Sequence, residues 1–225
     1  MKIVFLLQAA TTVLKGGSEI QADLIINEVL KKGHDVYYIS DLIRTPQEGR
    51  KNVKYLYLKS YGTCYSFLNL IPLIRMLKNI NPDVIYQRWR VPYTGIGVFY
   101  AKKYSKKMIF NAASRKDVVK NKVPFNHMIF PNLINERIGR YGVRKADLIV
   151  VQTSHHQVLL KKNFGRDSIV IPNGHPVPLP PFRKTSPPIV VWIANIKQLK
   201  QPEIFIRLAR EFKNTDVQFI YVGRS

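Results

Sequence analysis

Only one cysteine, Cys64, and only 14 acidic side chains occur in the 225 residues. A lone thiol excludes an internal disulfide framework and any cysteine-built zinc site, and it suits a reducing compartment. The acids face 36 Lys and Arg, so the formal charge is +22. Long apolar runs are missing as well: none reaches the ~18–20 residues that span a bilayer. The opening stretch Lys2-Ile3-Val4-Phe5-Leu6-Leu7-Gln8 is too brief for a secretory h-region and lacks a cleavage site, so it reads as a buried first strand. What is present excludes disorder. The chain is 46% hydrophobic and 11% aromatic, enough to bury a core, and its length suits one large domain or one domain plus part of a second. The expectation is a soluble globular protein of the cytoplasm.

The positive charge is concentrated. Residues 50–122 carry 16 Lys and Arg against Asp83 and Asp117 alone, a net of +14. Solvated surfaces normally mix both signs, so an excess of this size points to a polyanion or an anionic membrane surface. Charge alone does not choose between nucleic acid and lipid.

β-rich apolar runs alternate with helical patterns throughout. Candidate strands are 2–8, 35–39, 53–58, 83–86, 107–111, 148–152, 168–171, 189–193 and 217–222, and helical patterns lie near 18–32, 66–79, 95–104, 126–145, 155–163 and 202–212. Such alternation requires right-handed crossovers and a mainly parallel sheet, covered by helices on both faces. Runs such as Leu148-Ile149-Val150-Val151 suit strands buried on both sides. The expected organisation is a Rossmann-like α/β domain over 1–171, an extended linker over 172–188 holding seven of the 14 prolines, and a second α/β domain begun at 189–225. One βαβ unit of that size is too small to make its own core, so the second domain reads as started and not finished.

Three places carry candidate chemistry. Lys15-Gly16-Gly17-Ser18-Glu19-Ile20-Gln21 follows the first strand, and Ser18 with Gln21 forms a capping-box pattern that puts a helix N-terminus at Ser18. Gly16 and Gly17 then lie at the carboxyl end of a strand and the positive end of a helix, where open α/β sheets bind ligands and favour phosphates. A plain strand-to-helix turn fits the same residues. After the linker, Ala194-Asn195-Ile196-Lys197-Gln198-Leu199-Lys200 leads from a strand into a helix with Pro202 in its first turn. Lys200 there adds a full charge where backbone donors already attract an anion. Pro172-Asn173-Gly174 opens the linker directly after a strand, with the turn chemistry of Asn-Gly.

In order and spacing, these pieces resemble glycosyltransferase family 4, retaining enzymes of the GT-B fold. The carrying stretches are Gly16-Gly17-Ser18-Glu19, Gly33-His34-Asp35-Val36, Asn81-Pro82-Asp83-Val84-Ile85, Ala146-Asp147 through Thr153-Ser154, Ile171-Pro172-Asn173-Gly174 and Lys200-Gln201-Pro202-Glu203. The resemblance implies two Rossmann-like domains, the first holding most of the acceptor site and the second binding the nucleotide-sugar. It implies a UDP- or GDP-linked co-substrate, no cofactor and no protein-bound metal. By it, Gly16, Gly17, Asn195 and Lys200 belong to the donor diphosphate, and His34 is structural. Two departures stand out. Ala194-Asn195 replaces the Gly-Arg many members carry ahead of the lysine, and Asn111-Ala112-Ala113-Ser114-Arg115-Lys116-Asp117 lacks the histidine that often follows this strand. Ser114, Arg115 and Asp117 become cleft candidates instead. The two glutamates eight apart that bind donor sugar and ribose in the family would fall beyond Ser225.

The implied acceptor is a glycan or a polyprenyl-linked sugar, met on the inner face of a membrane. Phe67, Leu70, Ile71, Ile74 and Leu77, flanked by Arg75 and Lys78, form an apolar stripe suited to an interfacial helix, although any packed core helix shows the same period. Arg88-Trp89-Arg90 at a strand end either grips an anionic acceptor or is plain surface. His155-His156 opens a helix without partners at metal spacing. Two other classes compete with an enzyme: a non-catalytic acceptor-binding and membrane-docking subunit completed by another chain, and a nucleic-acid-binding protein motivated by charge alone.

Overall fold

The computed structural model describes residues 1–7, 17–41, 52–120, 129–177 and 185–223. In chain order the first unit holds β1 (Lys2–Leu6), α1 (Gly17–Lys31), β2 (Asp35–Ser40), β3 (Val53–Tyr57), a 3₁₀ segment Thr63–Asn69, α2 (Leu70–Ile80), β4 (Val84–Arg88), α3 (Pro92–Lys103), β5 (Lys107–Asn111), α4 (Arg115–Val118), α5 (Ile129–Lys145), β6 (Leu148–Val151), α6 (Ser154–Phe164) and β7 (Ile169–Val170). Its seven strands form one sheet in the order β3-β2-β1-β4-β5-β6-β7, every neighbouring pair parallel. This is the doubly wound, Rossmann-like α/β arrangement expected from the alternation of elements.

Side chains of β1 show how the sheet is sandwiched. Phe5 joins Ala22 and Ile26 of α1 on one face, while Val4 and Leu6 join the larger core built with Leu73, Leu77, Ile96, Val143 and Leu160 on the other. Alternating side-chain direction along a strand sends neighbours into opposite cores, so a continuous apolar run is what a two-sided burial demands. At the end of α1, Gly33 adopts φ 73°, and the amides of Gly33 and His34 return to the carbonyls of Leu30 and Val29. That left-handed residue stops the helix and turns the chain into β2.

Two expectations shift in detail. The apolar stripe read over Phe67–Leu77 is only in part the packed face of α2: Leu77 is buried and Ile74 packs against the core, but the helix also buries Leu73 and Ile80, while Leu70 and Ile71 stand exposed. Because the regular helix begins only at Leu70, its phase follows the i, i+4, i+7 spacing of those three residues. The short α4 turn has no counterpart in the sequence reading, since four residues carry no period.

α3 and α5 cross closely. A Cβ on Gly95 would strike the carbonyl of Ile138, and one on Gly142 would strike the backbone of Thr94 and Gly95. Glycine is required at this crossing because the obstacles are main-chain atoms, not movable side-chain tips. The first compact unit runs through Gly174, carrying Asn173 with it, and the second covers His175–Ser225. The second contains β8 (Ile189–Ile193), α7 (Pro202–Glu211) and β9 (Gln218–Val222), with β8 and β9 parallel. An aromatic cluster holds it together: Trp192 lies 4.6 Å from Tyr221 and 6.0 Å from Phe205, between ring centroids, and Phe205 lies 5.6 Å from Phe219. Replacing Gly95 with Ala should destabilise the first unit by about 2 kcal/mol or more, the scale of forced overpacking against backbone, read as a lowered midpoint in urea unfolding.

Candidate functional site

The strand order reverses between β1 and β4. Chain connections diverge there, and the crevice they leave at the carboxyl ends of the strands is where doubly wound sheets hold ligands. In this protein it is a cleft of 560 Å³, reached by Gly17 and Ser18 at the start of α1, Arg88 and Trp89 after β4, Ser114 and Asp117 after β5, Gln152 after β6 and Asn173 after β7.

The loop leaving β4 places three successive side chains in three different environments. Arg88 is only 4% exposed and forms part of the cleft lining. Its Nη2 donates to Asn173 Oδ1 at 3.1 Å, and its Nε has no hydrogen-bond partner. Burial pushes the Tyr86 phenol above its usual range, and the Arg88 charge opposes that rise. Trp89 is partly exposed on the cleft wall.

Arg90 turns away into the protein, its side chain 1% exposed. Its guanidinium meets Glu136 of α5 at 2.6 Å, donates to the carbonyls of Lys116 (2.9 Å) and Val119 (3.0 Å), and lies over the Phe164 ring of α6. Its backbone amide donates to Asp117 Oδ1 at 2.8 Å. Asp117 Oδ2 then accepts the amides of Ala113 and Ser114 and the Ser114 hydroxyl, at 2.9, 2.8 and 3.1 Å. The Asp117 carboxylate is therefore an organiser of the loop, fully engaged within it.

A second fastening closes the far side. Gln21 of α1 donates from Nε2 to the Gly174 carbonyl at 2.6 Å and accepts the Gly174 amide on Oε1 at 2.9 Å. The expected capping box with Ser18 does not form. A primary amide carries a donor and an acceptor side by side, matching a whole peptide group, and Gln21 serves Gly174 in that way. The Ser18 hydroxyl instead lies 3.3 Å from Glu19 Oε1, and the helix begins one residue earlier, at Gly17. Behind this fastening a cavity of 380 Å³ runs along Gln21, Ile25 and Val29 to Ile171 and Pro172, with Arg88 and Asn173 bordering it too.

The cleft thus brings together Gly17, Arg88, Ser114 and Asp117. Arg115, proposed beside them, is exposed and does not border the cleft; Lys116 does. Successive residues of a helical turn point about 100° apart, so one step along α4 moves a side chain out of the cleft. Gly16 lies outside the described residues. Asn195 and Lys200 belong to the second unit, where both are exposed. There Lys200 closes a 3₁₀ turn, Gln198–Lys200, with its amide on the Lys197 carbonyl at 2.8 Å, and α7 begins two positions later with Pro202 at its first turn. Burial holds the His156 imidazole below its ordinary range, and His155 adds to the effect. Among the described residues no three potential metal ligands cluster. The sequence marked Trp89 and Arg90 only through the Arg-Trp-Arg run at a strand end and Gln21 only as half of a capping box, and it did not single out Glu136. The observed roles of Glu136 and Gln21 have no local signal, since their partners lie 46 and 153 residues away.

Glycosyltransferase Family 4 matches residues 15–177, most of the chain. The chain belongs to this family. No curated protein matches the sequence. Among solved structures, the lipopolysaccharide outer-core galactosyltransferase WaaB in its apo form superimposes with a TM-score of 0.62 at 17% identity, over 100% of this chain and 61% of that one. HepE of Anabaena, in complex with UDP and glucose, gives 0.55 at 17% identity over 100% and 70%. The UDP-N-acetylglucosamine 2-epimerase of Rickettsia bellii gives 0.51 at 13% identity over 96% and 49%. At such identities the likeness is one of fold, the GT-B arrangement, and the chain spans between about half and seven-tenths of the length of these proteins.

Within this family 4 chain, the Arg90–Glu136 pair carries the cleft loop. Replacing Glu136 with Ala leaves a buried guanidinium without its carboxylate and should cost about 3–5 kcal/mol. Urea unfolding reads the loss, and faster proteolysis within 113–119 reads the freed loop.

Proposed function

We propose that the protein transfers a sugar from a UDP- or GDP-linked donor to a glycan or polyprenyl-linked acceptor, with retained anomeric configuration. The observation that carries this is the cleft at the strand-order reversal, bordered by a helix N-terminus and a buried arginine, in a chain of Glycosyltransferase Family 4. In the reaction the bond from C1 to the diphosphate oxygen breaks, the electron pair stays on the diphosphate, and an acceptor hydroxyl bonds to C1 and gives up its proton to the departing diphosphate oxygen. The negative charge gathering on the leaving diphosphate needs fixed positive partners. Lys200, ahead of α7 in the second unit, supplies such a partner in this reading, with Asn195 five positions before it in sequence; the α1 start at Gly17 offers backbone donors in the first-unit cleft. Arg88 and Ser114 serve the acceptor in the first-unit cleft. HepE, solved with UDP and glucose, and WaaB, a galactosyltransferase, support that chemistry.

A peripheral seat on an anionic membrane fits the surface. Leu68, Leu70 and Ile71 are exposed around the start of α2, close in sequence to the exposed Arg75 and Lys78, a mixture that suits headgroups and the acyl boundary. Among the described residues no helix is long and apolar enough to cross a membrane.

Replacing Lys200 with Ala should remove about 2–4 kcal/mol of transition-state stabilisation, the scale of losing one preorganised group. That is a fall of about 30- to 1,000-fold in kcat/KM, measured on the full-length protein with its preferred donor. Unchanged turnover would remove Lys200 from the diphosphate site.

A further inference from the structure

The backbone at Trp89 sits at φ 73°. A bulky side chain in the left-handed region is an outlier, and such conformations persist only where the surroundings dictate them, commonly at ligand sites. Here they do. The Trp89 carbonyl accepts Gln87 Nε2 at 2.5 Å and lies 3.1 Å from Thr94 Oγ1, while the Trp89 amide donates to the Asn111 carbonyl at 3.3 Å. Gln87 and Thr94 are both fully buried, and Thr94 Oγ1 also stands 2.8 Å from Gln87 Oε1 and accepts the Val91 amide at 3.2 Å. Two buried side chains, Gln87 donating also to the Arg88 carbonyl at 2.8 Å and Thr94 also capping the start of α3, thus hold one strained residue, which is left 38% exposed on the cleft wall.

Next to it in sequence, Arg88 is a buried cation of a different kind from Arg90. Arg90 has a carboxylate and two carbonyls. Arg88 has the neutral Asn173 amide, the neutral Tyr86 phenol beside it and, among the described residues, no carboxylate, while the Nε of either arginine is without a hydrogen-bond partner. A buried charge without a counter-charge is costly, and an anion entering the cleft relieves it. An indole face with apolar body and negative quadrupole offers a flat surface to the C–H face of a sugar ring.

We propose that Trp89 is a stacking platform for a sugar ring bearing a negative group, and that Arg88 receives that group. This rests on the reading of the first-unit cleft as the acceptor side, and it narrows the acceptor to a sugar phosphate or a uronic acid. The Gln87–Thr94 pair acts through Trp89 as a positioning device.

The test uses the full chain and four probes: glucose 1-phosphate, glucuronic acid, glucose and inorganic phosphate, titrated by calorimetry. Trp89→Asn removes the ring yet accepts the left-handed backbone, so it should fold with an unchanged or raised melting temperature. Trp89→Phe keeps an aromatic face. In a Trp192→Phe background, Trp89 is the one remaining indole, and its emission should change with the charged sugars. The expected result is that glucose 1-phosphate, glucuronic acid or both bind at least tenfold more tightly than glucose or phosphate. W89N should lose that tenfold, W89F should keep most of it, and the relative strength of the two charged probes names the anion. Equal binding of the charged sugars by W89N and the parent overturns the stacking role and leaves the cleft reading standing. Failure of all four probes to bind the parent overturns both.

Discussion

A buried guanidinium, that of Arg90, is the constraint on which the cleft depends. It joins the loop after β4 to α5 through Glu136, to the turn after β5 through two carbonyls, and to α6 through the Phe164 ring. Its own amide anchors Asp117, which in turn gathers the amides of the loop after β5. Close approach of α5 to α3 brings Glu136 within reach, and that approach exists because Gly95 and Gly142 carry no side chain at the crossing. One step of the backbone away on either side of Trp89, the two arginines therefore differ in their counter-charge: Arg90 is held by a carboxylate and two carbonyls, whereas Arg88 is buried on the neutral Asn173 amide with no carboxylate among the described residues. A charge that is fully paired stabilises a loop, whereas a charge left short of partners is poised for a ligand.

The same principle of fastening operates at the exit of the sheet. Asn173 is held by Arg88 and Gly174 by Gln21, so the segment at which the first unit ends is tied both to the cleft and to the first helix. Since Arg88 borders both cavities and also holds Asn173, a ligand that attracts its guanidinium competes with the exit segment for the same donor. In the second unit Lys200 stands two positions before the start of α7, and the proposed diphosphate role uses that placement, since a full charge and a helix N-terminus both favour an anion.

The architecture was legible because its signals are local and repeated. Apolar runs such as Leu148–Val151 and glycine-ended helical periods such as Ser18–Gly33 set the strands and helices to within a few residues, and their alternation set the parallel sheet. Gly17, Arg88, Ser114 and Asp117 were legible as cleft residues since each directly follows a strand or opens a helix, and strand ends converge at one edge of a parallel sheet. The roles were less legible than the places. Asp117 as a loop organiser, Gln21 on Gly174 and Glu136 on Arg90 depend on contacts between residues far apart in sequence, which no local pattern encodes. Arg115 and Lys116 differ only by one step of a helical turn, and that turn is too short to show a period. The α2 stripe misled in phase for a related reason: the 3₁₀ segment before Leu70 shifts which residues face the core.

The most direct measurement is product analysis of the full-length protein incubated with labelled UDP- and GDP-sugars together with glycan and polyprenyl-phosphate-linked acceptors. The account predicts label moving into the acceptor, with the donor's anomeric configuration kept in the product's NMR spectrum. Label recovered only as free or epimerised sugar, with the acceptor unmodified, would contradict it.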